Sequence, residues 1–133
     1  MNLAQVIHQR WAAAAALDAL LPAERVYTGL SVDPTVPFAV ISKLGEQPTS
    51  YHNDGSAVAA VGLRIEVFHS QYDAAAAIMQ QVKAAFDRSD FPLAGSDKVV
   101  DMQRTNDFER QTADGVWHCT CDFQCTVHLA AGV

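Results

Sequence analysis

The sequence lacks the short motifs that commonly mark an enzyme. It contains no glycine-rich phosphate loop, no G-x-S-x-G element, no H-E-x-x-H pair and no C-x-x-C pair. It also has no run of basic residues, and nine Lys and Arg stand against fifteen Asp and Glu, for a net charge of −6. Because nucleic-acid binding depends on a concentrated positive surface, DNA binding as the main task is disfavoured.

Long hydrophobic runs are also missing. The first segment, MNLAQVIHQRWAAAAALDALL, has no basic lead and is interrupted by His8, Gln9, Arg10 and Asp18. This segment matches neither a signal peptide nor a membrane span, so we expect an unexported protein that has no membrane partner. Half of the 133 residues are apolar, which is enough for one well-buried core and predicts one domain over residues 1–133.

Cysteine is absent outside one short stretch, HCTCDFQC, at residues 118–125. From Trp117 to Leu129 apolar and polar residues alternate strictly, which is typical of a strand with one buried face, and all three cysteines lie on the apolar face. Cys121 and Cys125 would be about 13 Å apart along such a strand, too far to share one metal ion. We predict that the cysteines are buried, reduced and metal-free, with a metal site completed from elsewhere and redox chemistry as open alternatives.

Two helices are predicted from apolar residues spaced three and four apart. The first begins after Asn2, which can cap it, and ends before Pro22. The second follows SQYD, in which Ser70 can act as the N-terminal cap, and runs to about Phe86. Pro92 follows its end.

Four strands are predicted around these helices, at residues 38–44, 61–67, 98–109 and 115–129. Residues 45–57, GEQPTSYHNDGSA, are rich in turn-forming residues and indicate a long hairpin loop. The expected fold is α+β, an antiparallel four-stranded sheet with two helices packed on one face, in the order α-β-β-α-β-β. A further short strand at Val26–Tyr27 is left open.

The most reactive-looking cluster is SYHNDGS, which contains His52, Asp54 and Ser56. These residues could be a base, its orienting acid and a nucleophile, but neighbours in a loop tip rarely hold that geometry. A solvated turn or a contact surface is the favoured interpretation. His118 and His128 would lie about 33 Å apart on a straight strand and cannot share an ion. No catalytic, cofactor-binding or metal-binding residue is predicted, and no cofactor.

The chain as a whole resembles the tail terminator, or tail-completion, proteins of long-tailed bacteriophages and related prophage and gene-transfer particles. Five segments carry the resemblance, in this order along the chain: ALDALLPAERVYTGL, DPTVPFAVISKLGEQPTS, LRIEVFHSQYDAAAAIMQQVKAAF, FPLAGSDKVV and RQTADGVWHCTCDFQCTVHL. The match is one of element order and composition, so no functional residue is carried over from the family.

The resemblance implies a structural protein with no turnover. It would form a ring of six identical subunits that caps the tail tube, stops its polymerisation and joins the head connector. The implied partners are further copies of the chain, the tail tube protein and the head–tail connector protein, with DNA only as passing cargo. The implied location is the tail or neck of a virion assembled in the bacterial cytoplasm.

The strand edges and the turn-rich loop supply the expected contacts of this ring. We predict six assembly-interface residues there, all polar or aromatic and none on an apolar stripe: Gln47, Thr49, Tyr51, His52, Asn53 and Asp54. We also expect residues 46–56 to be mobile in the isolated chain. The alternative is a small ligand-binding or metal-binding α+β domain, with a metal held by Cys119 or Cys121 and a distant histidine.

Overall fold

The helices and strands form a mixed α+β structure. A computed structural model describes residues 2–31 and 33–131. The elements in chain order are α1 (Leu3–Ala13), α2 (Ala15–Leu20), β1 (Val26–Thr28), β2 (Phe38–Tyr51), β3 (Ala57–His69), α3 (Tyr72–Phe86), β4 (Ser89–Pro92), β5 (Lys98–Gln111) and β6 (Trp117–Leu129). The predicted α+β class is therefore confirmed.

The predicted sheet of four antiparallel strands with two helices is wrong in its detail. The described residues form one six-stranded sheet in the order β1-β2-β3-β6-β5-β4. The short strand β1 runs parallel to β2, and every other neighbouring pair is antiparallel. The two extra strands have three and four residues. The first of them, β1, is the short strand left open at Val26–Tyr27 in the sequence, while β4 was not expected because a strand this short carries too little alternation to be recognised.

The predicted first helix is broken in two at Ala14. Ala14 has extended backbone angles, φ −83° and ψ 92°, although the alanines around it favour helix. The break lets the chain fold back, so that the buried Trp11 indole N–H donates to the Leu21 carbonyl oxygen at 2.8 Å. Packing of large side chains therefore overrides local helix propensity here. Among the described residues, none of the helices combines the length and apolar character needed to cross a bilayer.

The predicted helix caps are also corrected. Asn2 precedes α1 but makes no side-chain cap bond, and its Oδ1 instead accepts from the Ala94 N–H at 2.8 Å. The residue before α3 is Gln71 rather than Ser70, and the Gln71 N–H donates to Nδ1 of His69 at 3.0 Å. An imidazole thus replaces the expected hydroxyl at the start of α3.

Strand β2 is seven residues longer than predicted. It ends at Tyr51 rather than Leu44, and it pairs with β3 along its whole length. The predicted long loop of residues 45–57 is therefore mostly strand, and only residues 52–56 form the turn. Two register shifts, at Leu44 and Thr49, accommodate the glycine and proline of this stretch.

One hydrophobic core lies between the sheet and the helices. The odd-numbered residues of β3 and β6 face the helices, and α3 contributes Ile78, Val82 and Phe86. Cys119, Cys121 and Cys125 are all buried in this core as free thiols, which confirms the prediction that they are buried. The opposite face of the sheet has no helix against it among the described residues, although Val40, His118 and Thr120 on this face are buried. The exposed part of this face and the strand edges are the surfaces available for contact.

Candidate assembly surface

The tip of the β2–β3 hairpin is a tight turn held by its own side chains. The His52 N–H donates to the Ser56 carbonyl oxygen, and the Gly55 N–H donates back to the His52 carbonyl oxygen. Asp54 Oδ1 accepts from both the Ser56 N–H, at 2.9 Å, and the Ser56 hydroxyl, at 2.6 Å. These two bonds to Ser56 lower the pKa of the Asp54 carboxyl below its usual range.

This geometry does not build the base, acid and nucleophile considered from the sequence. Asp54 holds Ser56 rather than His52, and the His52 ring lies near the Ser50 hydroxyl, with Nε2 to Oγ at 3.4 Å. Ser56 is buried beneath the turn. The arrangement fixes the shape of the hairpin tip and activates no hydroxyl.

All six residues predicted as interface candidates are exposed, but they do not form one patch. Gln47 lies opposite Ala60 and so faces away from the helices, while Tyr51 lies opposite Ala57 on the helix side. Thr49 occupies a register shift, and its hydroxyl donates to the Val58 carbonyl oxygen at 3.1 Å. Tyr51 has 78% of its surface exposed. His52, Asn53 and Asp54 complete the set at the tip.

A second exposed segment was not expected from the sequence. The outer half of β5, Gln103–Gln111, is exposed at every residue, including Phe108 at 44%. Its letters, QRTNDFERQ, are polar on both alternating faces, unlike those of the buried strands. A strand that lacks an apolar face lies at the edge of a sheet or beyond the core, and this signal was available in the sequence.

Polar pairs cross the sheet face that lies opposite the helices. Arg64 binds Asp122 through two bonds, Nε to Oδ1 at 2.8 Å and Nη2 to Oδ2 at 3.0 Å, and this bonding raises the pKa of Arg64. Glu66 Oε2 lies 2.6 Å from His118 Nε2. Because these groups satisfy one another between β3 and β6, they stabilise the pairing of the two central strands.

An aromatic stack covers part of the same face. The rings of Phe38 and Phe68 stack with centroids 4.6 Å apart, and the His118 ring continues the stack 4.3 Å from Phe68. Beyond it, the residues around Leu44, Gly62 and Thr105 line a groove that is open to solvent. The groove is open to solvent along its length, unlike the enclosed pockets that bury most of the surface of a small ligand.

The cysteines are not arranged as ligands or nucleophiles. Burial raises the pKa of Cys121 and of Cys125 to about 12, which disfavours the reactive thiolate. Cys119 Sγ lies 3.9 Å from Glu109 Oε2, and burial with this carboxylate raises the pKa of Cys119 as well. Within residues 2–31 and 33–131, no three His, Cys, Asp or Glu side chains are grouped so that they could hold a metal ion.

Comparison with known proteins assigns this fold to a family. Residues 5–128 match the family model of the tail completion protein gp17. No curated protein sequence matches the chain. A chain from the solved structure of the virion of a native gene transfer agent (GTA) particle is similar in fold, with a TM-score of 0.71 and 19% sequence identity. The similarity covers 92% of this chain and 91% of that chain.

The family match spans both candidate surfaces, the outer half of β2 with its tip and the outer half of β5. It also spans the alternating segment of β6 that forms the centre of the core. The chain therefore belongs to the tail completion protein gp17 family and is a structural tail protein.

Proposed function

We propose that this protein forms a ring, a hexamer in its working state, that caps the tail tube and ends its polymerisation. The same ring presents the surface to which the head–tail connector binds, and residues 1–133 act as one domain in it. The family match over residues 5–128 carries the proposal. The protein acts by binding, without turnover, as a component of the virion tail or neck that is assembled in the host cytoplasm.

The charge of the chain supports this role. A net charge of −6 gives the ring no general attraction for a polyanion. DNA that leaves or enters a particle through a tail must slide past the ring without being retained. A conduit lined by such a protein permits that passage, because binding to phosphate requires clustered cations.

The outer half of β2 and the hairpin tip supply contacts within the proposed ring or to the tube. Gln47, Thr49, Tyr51, His52, Asn53 and Asp54 are exposed in the isolated chain, so ring formation can cover them without unfolding any part of it. A closed ring also repeats each small contact around its circumference, so a modest interface per subunit suffices for a stable assembly.

The experiment is the double substitution Tyr51→Ala and His52→Ala in the particle that encodes the protein. Both side chains are exposed, so the thermal melt of the purified variant should match that of the wild type. Electron microscopy should show tails that are overlong or not joined to heads. The matched control is Gln5→Ala with Gln80→Ala, two exposed helix residues, which should leave tails normal.

Two outcomes would count against the proposal at different levels. Normal, head-joined tails with the Tyr51 and His52 double variant would remove the hairpin tip from the mechanism. Normal tails after deletion of the whole gene would reject the tail-capping role itself.

A further inference from the structure

Two strand segments are left with a neighbour on one side only in the described part of the chain. Strand β1 pairs with Ala39–Ile41 of β2 and no further, so β2 from Ser42 to Tyr51 has β3 alone beside it. Strand β4 pairs with β5 only as far as Met102, so Gln103–Gln111 has β6 alone beside it. We call these segments the β2 edge (residues 42–51) and the β5 edge (residues 103–111).

The ladder determines which backbone groups of the β5 edge point outward. The bond from the Thr112 N–H to the Val116 carbonyl oxygen makes that pair a hydrogen-bonded one. Pairs alternate along an antiparallel ladder, so the N–H and C=O groups of Gln111, Glu109 and Asp107 point away from β6. The β5 edge thus offers three outward donors and three outward acceptors in a row.

The β2 edge has the same pattern. The bond from the His52 N–H to the Ser56 carbonyl oxygen makes Tyr51 and Ala57 a pair without mutual hydrogen bonds, and Tyr51 therefore points outward. Every second residue of β3 has the same orientation as Ala57, and the next two such residues pair with Pro48 and Glu46 of β2. The backbones of Pro48 and Glu46 therefore point outward as well. Proline fits this site because its missing N–H would not have bonded to β3.

The two edges lie diagonally across the sheet and run in opposite directions. The β2 edge pairs with the part of β3 that lies beside the His128 end of β6. The β5 edge pairs directly with the start of β6. A second copy in the same orientation, shifted along the strands, brings its β5 edge to the β2 edge of the first copy in antiparallel alignment. We propose that copies of this chain join in this way, β2 edge to β5 edge, into one continuous sheet.

Charge favours this unlike pairing over pairing of like edges. If two β5 edges overlapped fully, Asp107, the middle residue of the segment, would lie directly opposite its counterpart, and like charges in that position are destabilising. Two β2 edges would bring together two copies of Pro48, which has no N–H to donate to the facing strand. In the unlike pairing, Lys43 and Glu46 of the β2 edge, themselves an ion pair at 2.6 Å, come to the helix-side face on which Asp107 and Glu109 lie. One cation and three carboxylates then meet on that face, whereas two β5 edges would bring together four carboxylates and no cation from these positions.

A contact between two different surfaces is head-to-tail, and such contacts generate either closed rings or open filaments. The inference rests on the proposed ring, and it deepens that proposal by naming the two surfaces and the partner, a second copy of this chain. Both edges are interrupted by register shifts, at Leu44, Thr49 and Thr105, and interrupted edges pair weakly with unrelated strands.

The test blocks one edge at a time. Glu46→Pro removes an outward N–H from the β2 edge, and Glu109→Pro removes one from the β5 edge; neither N–H is used within the sheet. The matched controls, Glu46→Ala and Glu109→Ala, keep the N–H. Sedimentation of labelled chains is followed to about 1 mM, a concentration at which weak contacts are populated. Should Glu109→Pro lower the melting temperature, Gln111→Pro serves in its place.

The wild type and the alanine controls should associate, and each proline variant alone should remain a monomer. An equal mixture of the two proline variants should form dimers that contain one of each, and nothing larger, because only one unblocked edge of each kind remains. Wild-type chains that stay monomeric at about 1 mM would overturn the inference. A proline variant that dimerises with itself would overturn it too, since like edges would then be pairing.

A parallel experiment in particles separates this inference from the proposed function. A strain that lacks the gene is supplied with the wild-type, Glu46→Pro or Glu109→Pro chain, and its tails are imaged. Failure of both proline variants to restore tails is the expected result. If the variants restore normal tails while the empty strain makes none, the strand pairing is wrong and the tail role stands. If the empty strain makes normal tails, the tail role itself is wrong.

Discussion

At the scale of single residues, Trp11 joins the two N-terminal helices to the core. Its side chain is fully buried, and its indole N–H is the donor that satisfies the Leu21 carbonyl oxygen just after α2. The bond closes the turn created by the break at Ala14. A buried carbonyl that loses its donor costs more than the bond itself contributed, because water cannot reach it.

We predict that Trp11→Phe lowers the free energy of unfolding by about 2 kcal/mol, from the lost bond and the smaller ring. The control is Leu20→Ala on the neighbouring helix, where 45% of the side chain is exposed, and its effect should be within about 0.5 kcal/mol. Urea denaturation followed by tryptophan fluorescence measures the unfolding free energy of both variants, with Trp117 as the one reporter that remains in Trp11→Phe. Equal effects of the two substitutions would contradict the role given to the indole N–H.

The core thiols give the protein a dependence on alkaline pH. Burial raises the pKa of Cys121 and of Cys125 from 9.0 to about 12. Between these values the unfolded chain releases the thiol protons while the folded chain keeps them, so the unfolded state binds fewer protons. Stability therefore falls as pH rises through this window and is unaffected by these thiols below it.

We predict that Cys121→Ala with Cys125→Ala flattens this alkaline decline. At about pH 10 each wild-type thiol should account for about 1 kcal/mol of lost stability relative to pH 7. The variant will be less stable at neutral pH because it removes two buried sulfurs, so the quantity to compare is the slope of unfolding free energy against pH. Parallel slopes for the wild type and the variant would show that the thiols do not ionise on unfolding.

At the scale of elements, glycines fix the two hairpins. Gly55 and Gly115 follow the same turn pattern and have positive φ angles of 88° and 86°. In each hairpin the glycine N–H closes the turn, onto His52 in one case and onto Thr112 in the other. The register of β2 with β3 and of β5 with β6 is set from these turns, so the glycines determine which backbone groups point outward at both edges.

We predict that Gly55→Ala costs about 1 kcal/mol of stability, because an L side chain is strained at this positive φ. Space is not the cause, since an added Cβ would meet Ala131 only at an ordinary contact distance of 3.8 Å. Gly45→Ala is the control: its φ is not positive and an added Cβ would meet nothing within 4 Å. Thermal melts of the two variants should separate clearly, and overlapping melts would exclude backbone strain at the tip.

At the scale of the whole molecule, the sheet is offset in a way that leaves opposite corners open. The short edge strand β1 covers about a fifth of β2, and β4 covers about a third of β5, at diagonal positions. Along each uncovered segment, amides that are bonded to the one neighbouring strand alternate with amides that have no strand to bond to. Exchange of these amides with solvent reports directly on whether a further strand is bound there.

We predict that in the isolated chain the amide protons of Phe108 and Arg110 exchange slowly while those of Asp107, Glu109 and Gln111 exchange fast. The latter three should become slow in the assembled ring. Central amides of β6, which lies between two strands, provide the control and should be slow in both states. Uniform exchange along β5 in the free chain, or no change on assembly, would argue against the outward orientation of these groups.

The mobility expected for residues 46–56 is revised on the same physical basis. Glu46–Tyr51 is paired with β3 on one side, so only its outward amides should exchange freely. The turn at residues 52–56 retains its own hydrogen bonds, yet it has no strand beside it and remains the least protected part of the hairpin.

The sequence by itself determined the features that depend on local periodicity. The alternation from Trp117 to Leu129 was sufficient to place β6 in the core and to bury the three cysteines, and the helical spacing up to Phe86 located α3. The exposure of Tyr51 and its neighbours also followed from composition alone. Each of these properties arises from residues two to four positions apart, where side-chain direction is dictated by the backbone itself.

Only the tertiary structure decided the strand order, the break at Ala14, the length of β2 and the location of the free edges. Strand β3 pairs with β6 across 48 to 72 residues of chain, from His69 with Trp117 to Ala57 with Leu129, and no local pattern encodes that choice. The break at Ala14 exists because the Trp11 indole reaches Leu21, a contact that outweighs alanine's preference for helix. The polar letters of residues 103–111 indicate a strand outside the core, but an edge is defined by which strand is missing beside it, so the open side of β5 was located only once all six strands had been placed.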